Sequence, residues 1–157
     1  PVSLELAEWM HAPYEHNPNY PEKLTHQTAS GNLVRSKSEA MIDLCLYKNR
    51  IPFRYECALQ LGDVTLYPDF TIRHPKTGET YYYEHFGWMD DPNYSHNAFR
   101  KMELYTAHGI YPSIRLLTTF ENKKHPLNFK NIENIISFHF CKEDGNQASI
   151  STNFSII

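Results

Sequence analysis

Three things that would narrow the function of this chain at once are missing: paired cysteines, long apolar runs and an excess of basic charge. The three cysteines, Cys45, Cys57 and Cys141, are odd in number, widely spaced and free of any CxxC pattern. That argues against both a disulfide framework and a cysteine-based zinc site. No stretch approaches the apolar length of a membrane span, so a reducing, cytoplasmic interior and no membrane partner are the expectation. The formal net charge of −3 provides no global basic field to draw in a polyanion. A local basic face, or a carboxylate site whose charge a divalent cation cancels, stays open. His11, His16, His96 and His108 lack an HExxH or other ligand spacing, and no internal repeat or low-complexity run is present.

What is present fits one domain of 157 residues, long enough to bury a core. Aromatic residues reach 14% with eleven tyrosines, which suits a small core with polar edges and would equally suit stacking on bases. The chain opens on Pro1, which points to a processed product or a piece of a longer polypeptide. Residues 1–35, rich in Pro, Asn and His, read as an arm or connector with a short helix at LELAEWM.

From Ser36 the signals sharpen. Ser36-Lys37-Ser38-Glu39 has the spacing of a capping box ahead of Met41, Ile42, Leu44, Cys45 and Leu46, predicting a helix that ends near Asn49-Arg50 before Pro52. FRYECALQL (53–61) reads as a strand, Gly62-Asp63 as a turn and VTLYPDFTIRH (64–74) as a second strand. Pro68 implies a bulge or an edge position there. After the turn HPKTGE, YYYEHF reads as a third strand, so the three form a meander. Asp91-Pro92 starts a helix that Gly109 stops, YPSIRLLTTF is a fourth strand, and 127–140 holds a last helix. The order is α-β-β-β-α-β-α, with a polar tail from 143 to 157 after a domain spanning 36–142.

Two acids stand where acids are expensive. Asp69 follows Pro68 within one strand, and Glu84 sits among aromatic residues in the next. Carboxylates inside apolar strands need a partner, and a shared metal ion would be one. Mg2+ or Mn2+ prefers oxygen ligands and lowers the pKa of bound water, the requirements of phosphodiester hydrolysis. Alternation puts Tyr82, Glu84 and Phe86 on one face and Tyr83 and His85 on the other. A hairpin register that aligns the 69 and 84 regions lets both carboxylates project the same way. Lys101 and Tyr105, one turn apart on the next helix, share a face.

The run from Val34 to Glu121 resembles the PD-(D/E)XK nuclease superfamily, of restriction-endonuclease-like fold. SKSE on the first helix, YPDF at 67–70, YYYEHFG at 81–87 and FRKMELY at 99–105 carry the resemblance. It is most similar to uncharacterised bacterial proteins with a YPDF…EHFG pattern, which often carry this region as a C-terminal part. The resemblance implies an α-β-β-β-α-β core, with a mixed four-stranded sheet flanked by helices, and Mg2+-dependent cleavage of nucleic acid, DNA ahead of RNA. It makes Asp69 and Glu84 metal ligands and Glu39 an auxiliary acid; the His85 carbonyl could serve as a third ligand. It departs at the position two residues after the second acid, where the family's lysine is replaced by Phe86. Lys101 is placed to take over, and Lys101-x-x-x-Tyr105 resembles the Gln-x-x-x-Tyr element of RecB-like nucleases. Glu56, His85 and Tyr105 are auxiliary candidates. Each has an ordinary structural reading as well: Glu39 as a capping acid, Asp69 as a bulge acid, Lys101 as a solvated lysine. Homodimers are common in the superfamily. The rival readings are a nuclease fold that binds nucleic acid or protein without cutting, and an assembly module of a longer protein.

Overall fold

The structure, a computed structural model, describes residues 2–141; the polar tail expected at 143–157 lies outside the described residues. One half of the capping box is formed, while the Glu39 carboxylate accepts from the Arg35 N–H and the Ser36 hydroxyl. Ser36, in extended backbone, accepts the Glu39 N–H at 3.1 Å and opens α2 (Lys37–Lys48). Ile42, Cys45 and Leu46 recur at helical spacing and are buried. Arg50 then takes a left-handed φ of 55° and the chain turns into the sheet.

Four strands, β3 (Phe53–Tyr55), β6 (Phe70–Arg73), β7 (Thr80–Phe86) and β8 (Leu116–Phe120), form a mixed sheet in that spatial order. The first three pair antiparallel and β8 joins β7 in parallel. The parallel join needs a crossover, which α3 (Pro92–Ala107) supplies, its first turn capped by Asp91 accepting from the Tyr94 N–H at 2.8 Å. On the opposite side, α2 and α4 (Phe129–Ile136) cover the main core of Phe53, Phe70, Ile72, Tyr83 and Leu117. α4 runs on into a π-helical turn, Ser137–Cys141. The α3 side holds a much smaller cluster, Leu61, Tyr105 and Leu116.

Two expected strands are broken rather than continuous. The run 53–61 ends as a sheet strand at Tyr55, because Glu56 adopts a left-handed φ of 47°. Residues Leu59–Leu61 (β4) instead pair with Val64–Leu66 (β5) in a separate hairpin about Gly62, whose φ of 59° suits the turn. The run 64–74 is interrupted at Tyr67-Pro68-Asp69, where Pro68 has no N–H to give a ladder. Asp69 is therefore the residue immediately before β6, not a mid-strand residue. The fourth strand is also shorter than expected, since 111–115 form a turn in which Leu116 N–H donates to the Tyr111 carbonyl.

Residues 2–35 lie against the domain. α1 (Leu4–His11) buries Leu6 and places the Trp9 ring 4.4 Å from the Arg54 guanidinium, which also donates to the Trp9 carbonyl. A 3-10 turn (Pro21–Lys23) and a two-stranded ribbon, β1 (His26–Gln27) with β2 (Leu33–Val34), follow. Ser30 and Asn32 at the ribbon's tip donate to the buried Asp43 of α2 at 2.9 and 3.0 Å. No helix among the described residues is long and apolar enough to cross a membrane.

Candidate functional site

The β6–β7 register sets the geometry. Phe70 pairs with Tyr83, so the next position of the antiparallel ladder puts Asp69 opposite Glu84. The His85 backbone N–H donates to Asp69 Oδ2 at 2.7 Å and fixes that carboxylate against β7. Glu84, 2% exposed, points toward α3. There Lys101 Nζ reaches Glu84 Oε2 at 3.0 Å and the Tyr105 hydroxyl donates to Oε1 at 3.2 Å. The four-residue spacing on one helical face lets both side chains reach one carboxylate. A buried carboxylate is tolerated when charge-assisted hydrogen bonds engage both of its oxygens.

Negative charge nevertheless exceeds positive charge here. Burial, then repulsion from Glu84 and Glu39, pushes Asp69 well above the usual carboxylate range. Burial works against the Lys101 ammonium, but Glu84 and Asp69 outweigh it and hold its pKa above the ordinary lysine value. Burial and the neighbouring Glu84 likewise raise the Tyr105 phenol, keeping it a proton donor.

Glu39 sits at the N-terminus of α2 with both oxygens engaged. Oε1 accepts from the Arg35 N–H and the Ser36 hydroxyl, each at 3.2 Å, and Oε2 accepts from the Tyr55 hydroxyl at 3.1 Å. Burial raises its pKa despite the Tyr55 hydrogen bond. Glu56 is bound on both oxygens by Arg35, not by the neighbours of Arg54. The His85 ring, as alternation predicts, points away from Glu84, with Nδ1 2.7 Å from Thr119 Oγ1 and Nε2 2.7 Å from Glu121 Oε1. Glu121 in turn accepts from Ser38 at 2.6 Å. Sequence reasoning missed Arg35, Tyr55 and Glu121. Only their proximity in the fold joins them, and none carries a local motif.

A shallow cleft of about 230 Å3 lies beside the cluster, lined by Phe86, Tyr94, Asn97, Ala98 and Lys101. A larger cavity of about 360 Å3 between α1 and the end of α2 is lined by none of the site carboxylates.

Among the described residues, no group of three or more His, Cys, Asp or Glu side chains is arranged to hold a metal ion. A two-carboxylate pair still fits the donor chemistry of Mg2+, which commonly takes one or two protein carboxylates and fills the rest of its shell with water and phosphate oxygens. The mutual repulsion of Asp69 and Glu84 is what a dication relieves.

The chain is thus a mixed α/β protein with a four-stranded mixed sheet flanked by helices, and it gathers two facing acids, a lysine and a tyrosine on one face of that sheet. No family model, curated protein or solved structure matches it.

Proposed function

We propose that this chain is a metal-dependent nuclease with a PD-(D/E)XK-like core, hydrolysing phosphodiester bonds in nucleic acid, DNA ahead of RNA. The observation that carries the reading is Glu84 of β7 beside Asp69, the residue that leads into β6, while Lys101 and Tyr105 hold Glu84 from α3. Phosphoryl chemistry is mostly positioning and charge stabilisation, and this cluster has the parts. Asp69 and Glu84 would hold Mg2+ or Mn2+, which would supply charge neutralisation at the phosphate and acidify a water. The His85 amide keeps Asp69 aimed across the ladder, and Tyr105 keeps Glu84 oriented through Oε1. Lys101, released from Glu84 Oε2, orients the attacking water or holds a phosphate oxygen, the role Phe86 cannot fill. Glu39, bound by three donors, fixes the start of α2 beside the acids as an auxiliary residue.

The test is a titration of Mg2+ and Mn2+ against the purified chain with supercoiled plasmid, single-stranded DNA and structured RNA. Cleavage that requires metal and vanishes in Glu84→Gln is the expected result; full activity in that variant removes the mechanism. Lys101→Met is expected to lower kcat by about 10²- to 10³-fold while metal binding is kept or tightened, since the ammonium no longer competes for Glu84. Unchanged kcat would show that the lysine has not migrated to α3.

A second reading has its own observation. Lys101 already neutralises Glu84 without any cation, and Phe86 stands at the family's lysine position. This favours a nuclease fold that binds nucleic acid without cutting. Nucleic-acid binding with no metal-dependent product from any substrate tested would favour it; absence of both metal and nucleic-acid affinity would remove it.

A further inference from the structure

Beyond the acids, the same sheet face ends in aromatic rings that the chemistry does not use. Phe86 and Phe120 pair across the parallel β7–β8 ladder, two residues on from the Glu84–Thr118 pair. Phe120 is therefore one diagonal position from Glu84. Its ring lies on Phe86 with centroids 5.3 Å apart and planes 18° from parallel, yet the residue is 51% exposed. Phe86 forms the wall of the cleft that contains Lys101. Just past the strand end, Trp88 is 60% exposed.

The loops carrying these rings form one rim. Glu121 N–H donates to the Phe86 carbonyl at 2.9 Å, Met89 N–H to the Glu121 carbonyl at 3.2 Å, and Lys123 N–H to Asp90 at 3.3 Å. Lys123 and Lys124 stand exposed on the same rim. The ends of parallel strands are a common place for ligands in α/β sheets.

We propose that this rim binds an unpaired nucleic-acid strand, with Phe120 and Trp88 stacking on its bases, Lys123 and Lys124 meeting its phosphates, and the strand leading into the Asp69–Glu84 site. The proposal rests on the nuclease reading for what happens to that strand, but not for its binding. Two physical arguments favour an unpaired strand over a duplex. A duplex hides the faces of its bases and offers a protruding ring nothing to stack on, whereas every unpaired base has a free face. Duplex binding also draws heavily on many basic contacts to phosphates, and this chain carries 15 Lys and Arg against 18 Asp and Glu. Stacking supplies affinity that does not depend on net charge.

The test measures anisotropy of a fluorescein-labelled DNA strand of about 20 nucleotides, long enough to span a typical single-strand site, and of a hairpin duplex of the same composition. The full chain is used in EDTA, so that binding is read without cleavage. Phe120→Ala and Trp88→Ala are each expected to weaken single-strand binding about tenfold while leaving weak duplex binding unchanged, and Phe120→Tyr is expected to retain wild-type affinity. Wild-type single-strand affinity in both alanine variants overturns the proposal, as does tighter binding of the duplex by the wild type. Binding of neither probe overturns it as well. Cleavage in Mg2+ separates the two readings. Single-strand cutting unaffected by Phe120→Ala and Trp88→Ala leaves the nuclease and removes the stacking. Single-strand binding that Phe120→Ala abolishes, with no cutting of any substrate, leaves the stacking and removes the nuclease.

Discussion

Asp69→Asn is expected to reduce metal-dependent cleavage to background and, in EDTA, to make the protein more stable than the wild type. The two effects share one cause. Asp69 faces Glu84, and burial with carboxylate repulsion raises its pKa in the fold. A carboxyl whose pKa is raised on folding favours the folded state fully below its unfolded value, near pH ~4. That contribution is lost as pH rises through the folded value. At neutral pH without metal the wild type therefore carries a penalty that the neutral amide lacks. The introduced amide can still accept from the His85 N–H through its carbonyl oxygen, so the ladder is kept. The expected gain is on the order of 1 kcal/mol, or roughly 2–4 °C in Tm for a domain of this size. The gap between variant and wild type should shrink as pH falls toward the unfolded carboxyl value. With saturating Mg2+ the order should reverse, because only the wild type gains from binding. Thermal unfolding at several pH values, with EDTA and with Mg2+, checks both signs. Equal melting temperatures in EDTA across the pH range would show that the two acids do not oppose each other.

The second large effect lies away from the chemistry. Arg35→Ala is expected to destabilise the domain by about 3–5 kcal/mol, since removing one partner strands a buried charge. Arg35 binds both oxygens of Glu56, which is only 6% exposed, and donates to the Tyr20 and Asn19 carbonyls at 2.8 and 2.7 Å. Without the guanidinium, Glu56 would be buried beside the already strained charge of Glu39. Adding Glu56→Gln to that variant should recover much of the loss. Urea unfolding of the single and double variants measures this directly. Limited proteolysis near residues 17–23 should accelerate in Arg35→Ala, because the same side chain ties that stretch to the sheet. A loss below about 1 kcal/mol would place the pair among ordinary surface ion pairs.

How much could be read in advance follows from how local each signal was. The start of α2 was legible because Ser36 and Glu39 satisfy each other within one turn. Glu84 stood out because an acid among tyrosines has few explanations, and Lys101 with Tyr105 because their four-residue spacing fixes a shared face. The alternation that put His85 opposite Glu84 held as well. Pro68 marked an irregularity in its strand, but the break at Glu56 was not legible. Apolar alternation looks the same whether a strand continues or gives way to an inserted hairpin, and a left-handed Glu has no sequence signature. Residues 2–35 read as a connector because their anchors, Arg54 on Trp9 and Asp43 on Ser30 and Asn32, span 45, 13 and 11 positions. Contacts made at that range are decided by the fold, not by the neighbours in sequence. The superfamily-level core stays an inference from motifs; the mixed four-stranded sheet between helical layers is what the structure displays.

The two helical layers are not equally fastened. α2 and α4 share the extensive main core, whereas α3 rests on Leu61, Tyr105 and Leu116. Of those three, Tyr105 also belongs to the acid cluster, through its hydroxyl on Glu84. The contact that docks the helix and the contact that orients the acid are therefore made by one side chain. Lys101, one turn away on the same helix, holds the other oxygen of that acid. The seat of α3 on the sheet and the alignment of Glu84 are therefore a single property: a substitution that loosens one loosens the other.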